Sequence, residues 1–360
     1  MKYALIGCGR ISPNHVVAAR DNGLEMVSFC DIVRERAEDN ILKFDLDEDA
    51  IRVYTDYHRM LEEEKPELVA IATESGKHAQ IALDCLDYGC NLIIEKPIAL
   101  SIEDADRIII KGKEKGVFVC ACHQNRFNKS IQEIRKAIDK KRLGKLLYGT
   151  AHIRWARDHE YYDRATWRGT WEQDGGALMN QCIHDIDLLR WMMGDEIDTV
   201  YGMTDRLMHP YIEAEDLGIA LVRFKNGSYG IIEGTTNVYP KNLEETLYIF
   251  GEKGTVKAGG DAVNIIEEWR FADHFNDEET VKRECKENPP NVYGFGHTKL
   301  YKNVIDTIEG RDTLVCDAEA GKRALELVLA IYKSAFEGVS VKLPLEECST
   351  LDFKGRFDKS

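Results

Sequence analysis

Between residues 3 and 122 short apolar runs alternate with amphipathic stretches: YALIG, then ISPNHVVAARDNG, then EMVSFCD, with LVAIAT, NLIIEK and VFVCAC further on. That alternation predicts a parallel, doubly wound (Rossmann) sheet. The helix signals agree, because His78 to Tyr88 sets Ile81, Ala82, Cys85 and Leu86 on one face and Ser101 stands as an N-cap before IEDADRIIIKGKEKG. After His123 the pattern changes to a helix from about Lys129 and then to crowded runs such as LLYGTAHIRW, TVYGMTDRL, DLGIALVRF, SYGIIEGTT and ETLYIFG. Asn226-Gly227 between two of them is a hairpin signal. Strands with so few helices between them predict a second α/β domain built on a large, mostly antiparallel open sheet. Helices around His297 to Glu309 and Asp317 to Glu337 follow, and the charged stretch after Pro344 reads as frayed. The expected division is a dinucleotide-type domain over residues 1–122, a second α/β domain over 123–345, and a tail over 346–360.

The length of 360 residues allows two proper cores. Lys and Arg number 48 against 63 Asp and Glu, a formal net charge of −15, which argues against a nucleic-acid or anionic-membrane partner and still permits a local basic pocket. The chain opens on a strand-like KYALIG with no leader pattern, and no run approaches the roughly 20 apolar residues of a membrane span. A cytoplasmic protein is expected. The ten cysteines are scattered through strands and helices and read as reduced, mostly buried thiols. Cys120, Cys122 and His123 lack a second ligand pair at similar spacing, so no metal site is expected.

Gly7-Cys8-Gly9-Arg10-Ile11-Ser12 lies between the first strand and the first helix, where glycines let the backbone approach a pyrophosphate at a helix N-terminus. Ser12 stands at the third glycine's place. Asp31 ends the second strand, 24 residues after Gly7, near the spacing at which a carboxylate binds the adenosine ribose hydroxyls. The alternative is a cap on the helix that follows. An acidic residue there favours NAD, while Arg34 and Arg36 nearby leave NADP open.

The strand NLIIEKPIAL delivers Glu95-Lys96-Pro97 to its carboxyl end, where open α/β sheets place ligands. A lysine partly desolvated beside a nicotinamide is suited to act as a general base; the other reading is a surface lysine paired with Glu95. In DGGALMNQCIHDIDLLRWMMG, a glycine-led helix ended by Gly194, Asn180, His184 and Asp187 share a helix face. Such a histidine is often a core residue, but beside Lys96 it completes a pair able to move a proton as a hydride leaves. HIRWARDHEYYDRATWRGTW is dense in arginine and aromatic rings, and Arg154, Arg157, Arg164 and Arg168 suggest a carboxylate or phosphate pocket. A solvated sheet edge or a subunit interface is the competing reading.

The GxG turn followed by His15, the Glu95-Lys96-Pro97 motif, and the helix with His184 and Asp187 together resemble the glucose-fructose oxidoreductase, inositol dehydrogenase and rhizopine catabolism (Gfo/Idh/MocA) superfamily over nearly the whole chain. HQNRFNKSIQ, IRWARDHEYY, WRGTWEQDGGALMNQCIHDIDLLRWMMG and GFGHTKLYKNVIDTI are more narrowly similar to the bacterial UDP-N-acetyl-2-amino-2-deoxyglucuronate 3-dehydrogenases. The resemblance implies a nicotinamide cofactor, NAD, in the first domain, and Gly7, Gly9, Arg10, Ile11, Asp31, Ser75, His78, Glu95 and Lys96 line its site, with Trp167 and Arg168 near the nicotinamide. It implies that Arg157, Tyr161 and Tyr162 meet the nucleotide sugar, and that Lys96, Asn180 and His184 surround the reacting hydroxyl. Gln124 and Arg126 support either ligand. The superfamily helix often carries aspartate where this chain has Asn180, which leaves Lys96 the stronger candidate base. An open sheet in the second domain implies assembly, and the family suggests a homotetramer.

The activity this implies is NAD-dependent oxidation of the sugar's 3-hydroxyl to a ketone, with UDP-GlcNAcA as nucleotide-sugar substrate, in the biosynthesis of bacterial surface polysaccharide such as lipopolysaccharide O-antigen. A dehydrogenase of an uncharged polyol such as inositol is the nearest rival. A cofactor-sensing regulator without turnover is the rival from another class.

Overall fold

The structure is a computed structural model that describes residues 1–273, 275, 277–287 and 294–358. Two compact units are formed, one from Met1–Ala99, Glu103–His123 and His297–Lys322, the other from Leu100–Ile102, Gln124–Gly296 and Arg323–Ser360.

In the first unit, β1 (Lys2–Ile6), β2 (Glu25–Cys30), β3 (Arg52–Tyr54), β4 (Leu68–Ile71), β5 (Asn91–Ile94) and β6 (Val119–Ala121) form a parallel sheet in the order β3-β2-β1-β4-β5-β6. The order reverses between β1 and β4, the crevice at which doubly wound sheets bind ligands. β4 is wholly buried and β5 nearly so, as expected of strands covered on both faces by helices.

In the second unit, β7 (Leu146–Arg154), β8 (Ile197–Asp205), β9 (Leu217–Phe224), β10 (Tyr229–Thr235), β11 (Glu244–Gly251), β12 (Gly254–Gly259), β13 (Ile265–Phe271) and β14 (Val341–Lys342) form one sheet in the order β13-β12-β11-β7-β10-β9-β8-β14. Only the β7–β10 pair is parallel. The expected hairpin joins β9 to β10, turning at Gly227 with φ +87° while Asn226 Oδ1 accepts the Ser228 N–H. The helix Ile183–Met193 packs on one face, where Gly218 and Gly234 admit Leu178 and Cys182 so closely that an added Cβ would stand 2.4 and 2.7 Å from them. The opposite face exposes Leu147, Tyr148, Tyr201, Met203, Ile219, Leu221, Tyr229 and Ile231.

From His297 on, the late helix Gly296–Ile308 lies in the first compact unit. Its Tyr301 and His297 supply polar partners to groups buried in that unit, which no local pattern announces. The tail is not frayed: Ser349 caps the short helix Thr350–Phe353, the Thr350 hydroxyl donates to the Trp171 carbonyl (2.6 Å), and Phe357 stacks on Trp171. The helix over 174–194 begins with a π turn, Leu178–Cys182, before the regular helix Ile183–Met193.

Candidate active site

Gly7 adopts φ +93° at the switch between β1 and β4, and an added Cβ would lie 2.5 Å from the Ala72 carbonyl carbon. Gly9 has nothing within 4 Å of its Cβ position, so packing does not demand glycine there and the open space fits a pyrophosphate approaching the backbone. The helix Ser12–Asp21 starts just beyond and presents the positive end of its dipole. Ser12 replaces the third glycine and uses its hydroxyl, which donates to the Gly9 carbonyl (2.7 Å) and accepts from Asn40 (2.8 Å).

Asp31 follows β2 and accepts the Cys8 N–H on Oδ2 (2.8 Å) and the Val33 N–H on Oδ1 (2.9 Å). It therefore ties the glycine turn to the end of β2 and does not cap the helix Arg34–Lys43. Arg36 lies 3.6 Å from the same carboxylate. A carboxylate fixed at this point suits ribose hydroxyls and repels a 2′-phosphate.

Lys96 stands half-buried just beyond the carboxyl end of β5, joined to Pro97 by a cis peptide. Its N–H donates to Glu95 Oε2 (3.2 Å). Glu95 Oε1 lies 3.1 Å from His15 Nε2 and 3.4 Å from His297 Nε2. Burial alone would raise the pKa of this carboxyl, but the two imidazoles outweigh it and hold it well below the usual range. The Cys122 thiol completes the cluster and is pushed well above its ordinary value by burial and by the charge of Glu95. The carboxylate of Glu95 is thus held by partners from within its own unit. The ring of His78 is buried, with Nδ1 2.8 Å from the Pro97 carbonyl and Nε2 3.1 Å from the Thr73 carbonyl, so it braces the loops after β4 and β5. Ser75 opens the helix that carries it. His297 and Tyr301 were not singled out from the sequence, since they lie some 200 residues or more from their partners.

In the second unit the π turn carries Asn180, whose amide donates to Asp174 Oδ1, while Asp174 Oδ2 accepts the Gly169 N–H (2.7 Å). The turn itself is held by Glu215, which accepts the Leu178 N–H (2.8 Å) and the Tyr332 hydroxyl (3.0 Å). His184 Nε2 lies 3.4 Å from Gln124 Nε2. Beneath them Asn125 donates to Glu245 Oε1 (3.1 Å), and burial pushes the pKa values of Asp185 and Glu245 upward together. Asp187 is wholly buried and paired with Arg126 (2.7 Å, twice) and Arg190 (3.0 Å), and Arg126 is itself buried.

The four candidate arginines separate cleanly. Arg154 is paired with Glu233 and Glu244, and the exposed Arg164 with Glu160. Arg157 and Arg168 have no carboxylate partner among the described residues. Their guanidinium groups lie 4.9 and 4.2 Å from the Tyr161 ring centroid, Arg157 also stacks on Trp155 and Arg168 on Trp167, and the Nε of each is buried without a hydrogen-bond partner. Tyr161 takes a hydrogen bond from Gln181 on its hydroxyl (3.0 Å). Tyr162 is a core ring whose hydroxyl meets Thr236 (3.2 Å), so Tyr161 is the better placed of the two for a ligand.

A glycine turn at the switch point of a parallel sheet, an acid closing its second strand and a lysine beyond its fifth define a dinucleotide-dependent oxidoreductase. The comparisons with known proteins carry this further: the chain belongs to the Gfo/Idh/MocA oxidoreductase family, matching its NAD-binding Rossmann fold over residues 1–123 and its C-terminal alpha/beta domain over residues 135–343. Its cofactor is NAD. Among solved structures it is similar to the WlbA dehydrogenase from Bordetella pertussis in complex with NADH and UDP-GlcNAcA (39% identity, TM-score 0.89, 96% of this chain and 98% of that one). It is also similar to the WlbA enzyme from Chromobacterium violaceum in the same kind of complex (36%, TM-score 0.87, 96% of each chain). A myo-inositol 2-dehydrogenase from Thermotoga maritima is 24% identical over 359 residues, 95% of this chain and 98% of the relative. No helix among the described residues is long and apolar enough to cross a membrane.

Proposed function

We propose that this protein oxidises the 3-hydroxyl of UDP-GlcNAcA to the ketone, in a bacterial pathway toward surface polysaccharide. The observation that carries the reading is the Arg157–Tyr161–Arg168 cluster: on a chain of net charge −15, two half-buried guanidinium groups without acidic partners are an anion site waiting for its anion. The two WlbA structures, each at over a third identity and each holding UDP-GlcNAcA, support the same choice.

NAD supplies the hydride acceptor. Lys96 takes the hydroxyl proton, while His184 and Asn180 orient the sugar; the amide of Asn180, anchored on Asp174, is held in a fixed orientation. The exposed apolar face of the second sheet supports association of copies of the chain, and a homotetramer is the assembly we propose. The test is reduced-nicotinamide absorbance with UDP-GlcNAcA, with UDP-N-acetylglucosamine and myo-inositol beside it, repeated with 2-oxoglutarate and product analysis in case NADH stays bound. Lys96→Ala should lower turnover about 100-fold or more with NAD binding retained. Arg157→Ala should raise KM for the acid-bearing sugar.

The inositol-type relatives favour a second reading, an uncharged polyol substrate. Turnover of myo-inositol and none of UDP-GlcNAcA, with KM indifferent to Arg157→Ala, would establish it in place of the first.

A further inference from the structure

The chain from Glu346 to Asp358 has little structure of its own to hold it in place. Its helix is the short turn Thr350–Phe353, and an isolated turn is not stable in water. Its order comes from the places where it is tied, and these ties lie within the second unit. Along one edge it pairs with Leu100–Ile102: the Ile102 N–H donates to the Cys348 carbonyl and the Thr350 N–H to the Leu100 carbonyl (3.0 Å each). Further on, Arg206 donates to the Phe357 carbonyl (2.6 Å) and Arg356 to the Ala335 carbonyl (2.7 Å).

The tie that bears on function is Trp171. Its indole is almost wholly buried, edge-on to Tyr332 (ring centroids 5.3 Å apart), stacked on Phe357 (6.4 Å) and flanked by Phe353 (5.8 Å). The buried Thr350 hydroxyl donates to its carbonyl (2.6 Å). Trp171 stands in the irregular stretch 164–175, three residues after Arg168 and three before Asp174. Arg168 belongs to the anion cluster, and Asp174 holds both the Gly169 N–H and the amide of Asn180. The stretch has a second anchor at Gly169, whose carbonyl accepts the Glu213 and Ala214 N–H groups (2.9 and 3.0 Å). Arg206 joins the two anchors, because it also donates to the Ile212 carbonyl, and Ile212 packs directly on Gly169.

We infer that residues 346–358 are a strap for the sugar-side loop: by enclosing Trp171 they fix the course of the chain between Arg168 and Asp174, and so set the affinity for the nucleotide sugar while leaving that for NAD alone. Thr350, Phe353 and Phe357 are positioning residues, acting through Trp171. The inference rests on the reading of Arg168 and Asn180 as sugar-side groups and deepens it. A loop released from its strap samples other courses, and the apparent affinity falls in proportion to the fraction of molecules that keep the competent one.

The test uses Thr350→Val, Phe357→Ala and the two together in the full-length protein, beside a chain ended at Leu345. In the double variant the KM for UDP-GlcNAcA should rise about tenfold while kcat and the KM for NAD stay within about twofold of the wild type. The shortened chain should show at least as large a rise. Thr350→Ser keeps the donor and should keep the wild-type KM. Hydrogen exchange gives a second readout that needs no substrate: peptides covering 164–175 should exchange about tenfold faster in the double variant, and those covering 1–31 should not change.

A role confined to stability would lower the melting temperature and leave both KM values where they were, which overturns the inference. Unchanged exchange across 164–175, or a KM for NAD that rises with that for the sugar, overturns it equally. If the shortened chain does not fold, the point variants decide. Failure of the underlying reading looks different: the wild type itself would not turn over UDP-GlcNAcA, while exchange across 164–175 would still rise in the variants.

Discussion

Glu215 offers the sharpest test of how the π turn is held. It is wholly buried, Oε1 accepts the Leu178 N–H and the Tyr332 hydroxyl, and Oε2 has no partner among the described residues. Space for it exists only because residue 176 is glycine, where an added Cβ would coincide with the carboxyl group. Burial, helped by the neighbouring charge of Asp216, pushes its pKa up to about 8 against the pull of the two hydrogen bonds. An unfolded glutamate titrates near ~4.3, and at about 1.4 kcal/mol per unit the gap corresponds to about 5 kcal/mol at most.

Because the folded value is the raised one, the folded state keeps a proton that the unfolded chain has lost between the two values. The contribution is fully present below about pH 4, declines as pH rises, and is gone above about pH 8. Glu215→Gln removes the titration while keeping shape and acceptor. Urea unfolding from about pH 5 to about pH 8 should then show the wild type losing stability with a slope steeper than the variant's by up to about 1.4 kcal/mol per pH unit. The Asp185–Glu245 pair adds the same slope to both proteins and cancels. Parallel slopes would refute the argument.

Gly9→Ala should leave the melting temperature unchanged and weaken NAD binding about tenfold by filling the pyrophosphate's space, whereas Gly7→Ala should destabilise the fold by about 1–3 kcal/mol through its left-handed backbone and the contact with Ala72; thermal melts with NAD titration separate the two, and equal melting losses would contradict the assignment. Asp187→Asn should cost about 3–5 kcal/mol in denaturant unfolding by leaving Arg126 buried without its anion and taking one of two acidic partners from Arg190, and a loss under about 1 kcal/mol would contradict that reading.

The fold was legible because its signals are local. Alternating strands and helices predicted the parallel sheet, and crowded strands with an Asn-Gly turn predicted the antiparallel one. The places of the glycine turn, Asp31 and Lys96 were legible because each stands at a strand end. The helix with Asn180 and His184 was only half legible, since a period of 3.6 residues cannot reveal a π turn imposed by Glu215 from a distant strand region. For a related reason helical spacing gives the face of Asp187 but not the two arginines paired with it. Among the arginines, composition pointed to a pocket, and only the third dimension shows that Glu233, Glu244 and Glu160 neutralise two of the four.

The hydroxyl contact between Tyr3 and Tyr301 spans 298 residues of chain. At ribosomal speeds of about 5–20 residues per second, Tyr3 is made about 15–60 s before its partner. Throughout that interval the nascent nucleotide-binding half holds Tyr3, His15 and Glu95 without the helix that satisfies them. Its maturation is therefore a late event in synthesis, and a ribosome-bound chain halted before residue 297 should remain protease-sensitive and a client of holding chaperones, however complete its six strands are.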